Sequence, residues 1–160
     1  MQRVELRKWS VLSDPDETRE AYARIECGGA ESCGCEACFN FASTRHLVYS
    51  SELLDFFERL GIDPLLEAEA CHERCLGGGR HAYTASFYLV GEIDSGPATT
   101  IAVAGAERRA SLEAADGVTS VGFSSDVREA PEAFRGHCVV RLEVSVVAPW
   151  VSNAPEPSGR

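Results

Sequence analysis

The stretch His137–Val147, HCVVRLEVSVV, decides the fold class. Val140, Leu142, Val144 and Val146 alternate with Arg141, Glu143 and Ser145, so one face is apolar and the other polar. A side-chain period of two with one wet face is the mark of a strand in an antiparallel sheet. Upstream, HAYTASFYLVGEI (81–93) sets Tyr83, Ala85, Phe87 and Leu89 on one face, and TTIAVAG (99–105) follows the turn residues Asp94-Ser95-Gly96-Pro97, which predicts a hairpin. VTSVGFS (118–124) offers Val121 and Phe123, and near the N-terminus Val4 and Leu6 alternate with charged residues. Ala21, Ala23, Ile25 and Cys27 alternate with Tyr22, Arg24 and Glu26, which predicts another half-buried strand there.

Between these strands the period changes. In SSELLDFFERLGIDP (50–64), Leu53, Phe56, Phe57 and Leu60 form one helical stripe, with Ser51 as the expected cap, Gly61 past the last turn and Pro64 as the stop. A preceding helix is predicted from Glu36 to about Leu47. The sum is an α+β fold: a largely antiparallel sheet or sandwich of six to seven strands, with two adjacent helices inserted in the N-terminal half. Residues 1–150 read as a single domain. The stretch 151–160, VSNAPEPSGR, has too little apolar surface to offset the entropy of ordering and is expected to be a disordered tail.

The chain has 160 residues, enough for one core without covalent staples. Its 15 basic against 25 acidic side chains give a formal charge of −10, the wrong sign for coating nucleic acid or an anionic membrane. A protein partner with a basic face suits it better. No apolar run approaches the ~20 residues of a membrane-spanning helix, and the charges at Arg3, Glu5, Arg7 and Lys8 interrupt any secretory signal, so the expected compartment is the cytoplasm. In a reducing compartment seven cysteines point to metal ligands, core packing or a redox pair rather than permanent disulfides.

Four of them, Cys27, Cys33, Cys35 and Cys38, fall within twelve positions as C-x5-C-x-C-x2-C, with Gly28, Gly29 and Gly34 between. Tetrahedral zinc needs four soft ligands about 2.3 Å from one point, and glycines allow the tight curls that requires. The expectation is a structural zinc ion on these four thiolates, filled and therefore without room for a catalytic water, with Arg24 and Arg45 offsetting residual charge. Unligated thiols, an iron–sulfur cluster and a Cys35–Cys38 redox disulfide are the alternatives; the spacing fits neither common ferredoxin run. A weaker second set, Cys71, His72, Cys75 and His81, surrounds the Gly77-Gly78-Gly79 loop and suggests a Cys2His2 or partly open metal site, or a Cys71 or Cys75 that substitutes for Cys27.

Catalytic signals are sparse. Neighbouring His137 and Cys138 point to opposite faces of a strand. Glu31, Glu36, Glu67, Glu69 and Glu73 are conceivable general bases in an acid-rich chain where such residues are usually solvated. No nucleophile elbow, phosphate loop, dinucleotide fingerprint or His-Glu-x-x-His is present.

Four segments, CGCEACFNF (33–41), LLDFFERLGIDP (53–64), SFYLVGEI (86–93) and APWV (148–151), resemble a family of small bacterial proteins with a Cys-x-Cys-x-x-Cys-x-Asn-Phe motif and a closing Pro-Trp-Val. The resemblance spans most of the chain. It implies a bacterial origin and a shared fold, and no reaction, since the family has no established activity. Phe39 stands where that pattern usually has a basic residue, and the Cys71/Cys75 pair has no counterpart in it.

Taken together, the sequence points to a non-enzymatic, zinc-stabilised acidic binding module, adaptor-like or immunity-like, acting on a protein partner. The alternatives are a metalloenzyme or metal sensor with an open three-cysteine site, and a thiol redox protein.

Overall fold

A computed structural model describes residues 1–97, the backbone of 113–114, and 120–158. In chain order these are strands β1 (Gln2–Leu6) and β2 (Trp9–Ser13), helices α1 (Pro15–Tyr22), α2 (Gly29–Cys33), α3 (Glu36–Val48) and α4 (Ser51–Leu60), then strands β3 (Glu69–Gly77), β4 (Arg80–Ser95), β5 (Glu113–Ala114), β6 (Ser120–Ser124) and β7 (Val139–Pro149). The fold is α+β: every strand pairing is antiparallel, in the order β1-β2-β4-β7-β6-β5, with β3 also on β4.

The stretch His137–Val147 becomes the central β7, and its alternation fixes the register. Leu142 faces Phe87, Val144 faces Ala85 and Val146 faces Tyr83 across β4. Those residues are all buried, because α3 and α4 cover this face. Phe57 of α4 packs on Phe87 with ring centroids 4.9 Å apart, and Phe41 of α3 on Tyr83 at 5.2 Å. The α4 stripe is as predicted, although the cap is Ser50, whose Oγ accepts from the Leu53 amide at 3.2 Å, rather than Ser51.

The strand expected over 21–27 is overturned. Asp14 accepts the Glu17 amide at 3.1 Å and Pro15 occupies the first turn, so Pro15–Tyr22 is helical. Apolar alternation loses here because α1 has a specific task at the sheet. β3 leaves β4 at Ser86 and β2 joins it at Gly91, which exposes backbone groups between them. Thr18 and Tyr22, four apart on α1, fill that gap: Thr18 Oγ1 accepts the Val90 amide at 3.0 Å and the Tyr22 hydroxyl donates to the Tyr88 carbonyl at 2.9 Å. The predicted strand at 99–105 lies outside the described residues.

The segment expected to fray is tethered from Val151 to Glu156. Val151 and Ser152 donate their amides to Asn40 Oδ1 at 2.7 and 3.2 Å, Ser152 Oγ donates to Glu36 at 2.9 Å, and Glu156 meets His81 at 3.0 Å. Polar partners on α3 and β4 supply what the tail's composition lacks. Among the described residues no helix is long and apolar enough to cross a membrane.

Candidate metal centre

The site is built where α2 hands over to α3. α2 is short and holds its place through contacts at its start. Gly29 donates its amide to the Glu67 carbonyl at 2.7 Å, and a Cβ on Gly29 would lie 2.4 Å from the Ala68 carbonyl oxygen, so only glycine permits this approach. Ala30 donates to Glu67 Oε1 at 3.0 Å and Gly28 to Glu31 Oε2 at 2.7 Å. Arg45, reaching from α3, donates through Nη1 to both Glu67 oxygens at 2.9 and 3.2 Å and through Nη2 to Glu31. Glu67 has no exposed side-chain surface and Arg45 only 8 %. Burial raises the Glu67 carboxyl above the ordinary range, opposed by the Ala30 amide and the Arg45 charge. This network rigidly connects α2, α3 and the chain leading into β3.

α2 ends at Cys33. Gly34 adopts the left-handed conformation (φ 74°), turning the chain so that Cys35 becomes the N-cap of α3. Cys38 lies in the first turn. The three sulfurs, Cys33, Cys35 and Cys38, lie within 4.8 Å of one another. Cys33 and Cys35 are 3.5 Å apart, and Cys38, buried, directs its thiol at the Ala70 carbonyl of β3 at 3.6 Å. Ligands on one tetrahedral zinc ion stand about 3.8 Å apart, given bonds of about 2.3 Å, so little movement is needed to hold such an ion. The Cys38 amide donates to Cys35 Sγ at 3.4 Å and holds the Cys35 thiol below its ordinary range. Burial pushes the Cys38 thiol up. None of the seven cysteines is joined in a disulfide.

Cys27 does not join the trio. Residues Gly29–Cys33 form a helix instead of a closing loop, which sets Cys27 and Cys33 at opposite ends of α2. The Cys27 sulfur is exposed, 3.4 Å from Ser32 Oγ. Cys27 and Cys33 do share one cavity, of about 630 Å³, which Cys71 also lines.

The second predicted set is not gathered either. The three glycines form the turn of a β3–β4 hairpin in which Cys75 pairs with His81, His72 with Tyr83 and Cys71 with Thr84. Cys71 and His72, adjacent in a strand, point to opposite faces. His72 Nε2 and His81 Nδ1 are 2.9 Å apart, and His81 Nε2 meets Glu156 at 3.0 Å, so the nitrogens face each other and a carboxylate rather than a common point. His81 is fully buried, and burial together with His81 lowers the His72 pKa. Cys33, Cys35 and Cys38 are the set of three potential ligands that meets within 4.8 Å among the described residues.

Sequence reasoning set Glu67 and Glu31 among solvated carboxylates and missed that they hold the site in place. A signal was available. Cys38, Phe41 and Arg45 lie at i, i+3 and i+7 of α3, and a cation on a buried stripe requires a buried anion. Asn40, wholly buried and bonded to Tyr83, Pro149, Val151 and Ser152, was likewise overlooked. Comparison of the chain with protein-family models, with curated proteins and with solved structures finds no match.

Proposed function

We propose that this chain is a metal-binding protein that holds one zinc-class ion on the thiolates of Cys33, Cys35 and Cys38, with the fourth position left to solvent or an incoming donor. The convergence of these three sulfurs at the junction of α2 and α3 carries the reading. Three thiolates select soft ions over magnesium or calcium. Exposure of Cys33 and Cys35 gives an ion and its fourth ligand access from solution, which supports a sensor or an open site over the filled clamp that four cysteines would make. A bound ion would tie the end of α2 to the start of α3, and Cys38, ligating as a thiolate, would give up its hydrogen bond to the Ala70 carbonyl. The test is elemental analysis of protein purified without added metal, followed by cobalt(II) substitution. One ion per chain with a three-thiolate spectrum supports the reading, and protein that retains no metal and binds no cobalt overturns it.

A second reading, thiol–disulfide exchange between Cys35 and Cys38, is favoured by the inequality of the pair. One thiol is exposed and held below its ordinary pKa by the Cys38 amide, the other is buried and pushed above it. Thiol titration with and without a chelator separates the two, because metal binding protects both thiols and a redox pair leaves Cys35 reactive.

A further inference from the structure

Resting on the reading that Cys33, Cys35 and Cys38 hold an ion, we propose a second site for a thiophilic ion, held by Cys27, Cys71 and Glu69 across the adjoining cavity, with the Cys33 thiolate bridging the two ions. Three thiols from three separate segments line this cavity of about 630 Å³: Cys27 ahead of α2, Cys33 at its end and Cys71 on β3. Cys33 belongs to both the cavity wall and the gathered trio. A hard donor is already beside a soft one, because the Cys71 thiol donates to Glu69 Oε1 at 3.3 Å and Glu69 lines the same space. The wall also carries Glu67 and Glu129; Arg141 stands 3.9 Å from Glu69 and from Glu129, and Arg45 pairs with Glu67, so an ion that takes Glu69 as a ligand draws it from its ion pair with Arg141. Cys27, Cys33, Cys71 and Glu69 together make four donors, which fills a tetrahedral shell. A thiolate keeps lone pairs after binding one ion, so it can serve a second, and each thiol releases its proton to solvent as the metal binds.

The second set is looser than the first, since its sulfurs are not mutually within 4.8 Å. Closure falls to Cys27. Its side chain is exposed and can turn about its own bonds, while the backbone on either side is held by the Ile25 amide on the Tyr22 carbonyl and the Gly28 amide on Glu31, and Cys33 and Cys71 are fixed on α2 and β3. Rotation of the Cys27 side chain exchanges its contact with Ser32 Oγ, the residue directly before Cys33, for the ion.

The experiment titrates the reduced full-length chain with cadmium(II) and reads stoichiometry by native mass spectrometry alongside thiolate-to-metal charge-transfer absorption. The expected result is two ions per chain for the unaltered protein and for Cys138→Ser, and one ion for Cys27→Ser and for Cys71→Ser. Saturation of the unaltered protein at one ion overturns the second site and leaves the first standing. Two ions in both Cys27→Ser and Cys71→Ser overturn the ligand assignment, and no ion at all overturns both sites. Should a serine variant fail to fold by circular dichroism, the stoichiometry of the unaltered chain decides alone.

Discussion

Replacing Arg45 with methionine removes the cation from a carboxylate that cannot reach water. Glu67 has a side-chain exposure of 0 % and would retain backbone amides alone, those of Ala30 and of Glu67 itself. Breaking a buried pair from one side costs about 3–5 kcal/mol. Protonation of Glu67 caps that cost. At pH 7 an ordinary glutamate lies about 2.7 pH units below the solution, so holding the proton costs at most about 3.7 kcal/mol; at pH 5 the same ceiling is about 1 kcal/mol. The direction follows from linkage. Burial raises the folded-state pKa of Glu67, so its contribution is fully present below the unfolded value and is lost as pH rises through the folded one. Without Arg45 that upward shift grows, and the added loss develops as pH rises from the folded-state value of the unaltered protein to the higher one of the variant. Urea unfolding of Arg45→Met should therefore show a deficit of about 3 kcal/mol at pH 7, under the ceiling of about 3.7 kcal/mol, that shrinks below about 1 kcal/mol at pH 5. The double variant Arg45→Met/Glu67→Gln should recover much of the loss at pH 7, because no buried charge remains. A deficit below about 1 kcal/mol at pH 7, or one that does not change between the two values, would refute the argument that a desolvated ion pair holds α2 in place.

The other predictions concern the site and its supports. Gly29→Ala sets a methyl 2.4 Å from the Ala68 carbonyl oxygen and should cost about 1–3 kcal/mol by thermal or urea unfolding, with weaker cobalt(II) binding because α2 carries Cys33. Cys38→Ser and Cys33→Ser should each weaken cobalt(II) binding at least tenfold by competition with a chromophoric chelator, while Cys75→Ser should leave it unchanged; a tenfold loss corresponds to about 1.4 kcal/mol. Addition of zinc at about a thousandfold over its Kd should raise stability by about 4 kcal/mol, and a chelator should remove the gain. Asn40→Ala deletes bonds to Tyr83, Pro149, Val151 and Ser152, should cost about 2–3 kcal/mol, and should speed hydrogen exchange at the Val151 and Ser152 amides.

Local periodicity was enough for the elements whose side chains meet one uniform environment. β7, β4 and α4 are legible because alternation or a helical stripe reports directly which face is dry, and the junction at Cys33–Cys38 is legible because its three thiols are close in sequence and separated by one glycine and one helical turn. Where two local signals competed, the wrong one was preferred: Ala21 to Cys27 alternates like a strand, yet Asp14 and Pro15 had already started a helix whose Thr18 and Tyr22 satisfy the bare edge of β4. No sequence pattern near α1 announces that gap, because it arises from where β2 and β3 leave β4.

The same division runs through the site. The sequence by itself determined that soft ligands are concentrated ahead of α3, since thiol chemistry and spacing are local properties. Only the tertiary structure decided which of them meet. Helix formation over Gly29–Cys33 carries Cys27 away from the trio, the hairpin turns the imidazoles of His72 and His81 toward each other, and the strand register brings Cys71 to the cavity of Cys27 and Cys33. Side chains far apart in the chain come together through backbone pairing and buried charge, and a contact such as Arg45 with Glu67 is fixed by the desolvation that packing imposes on both.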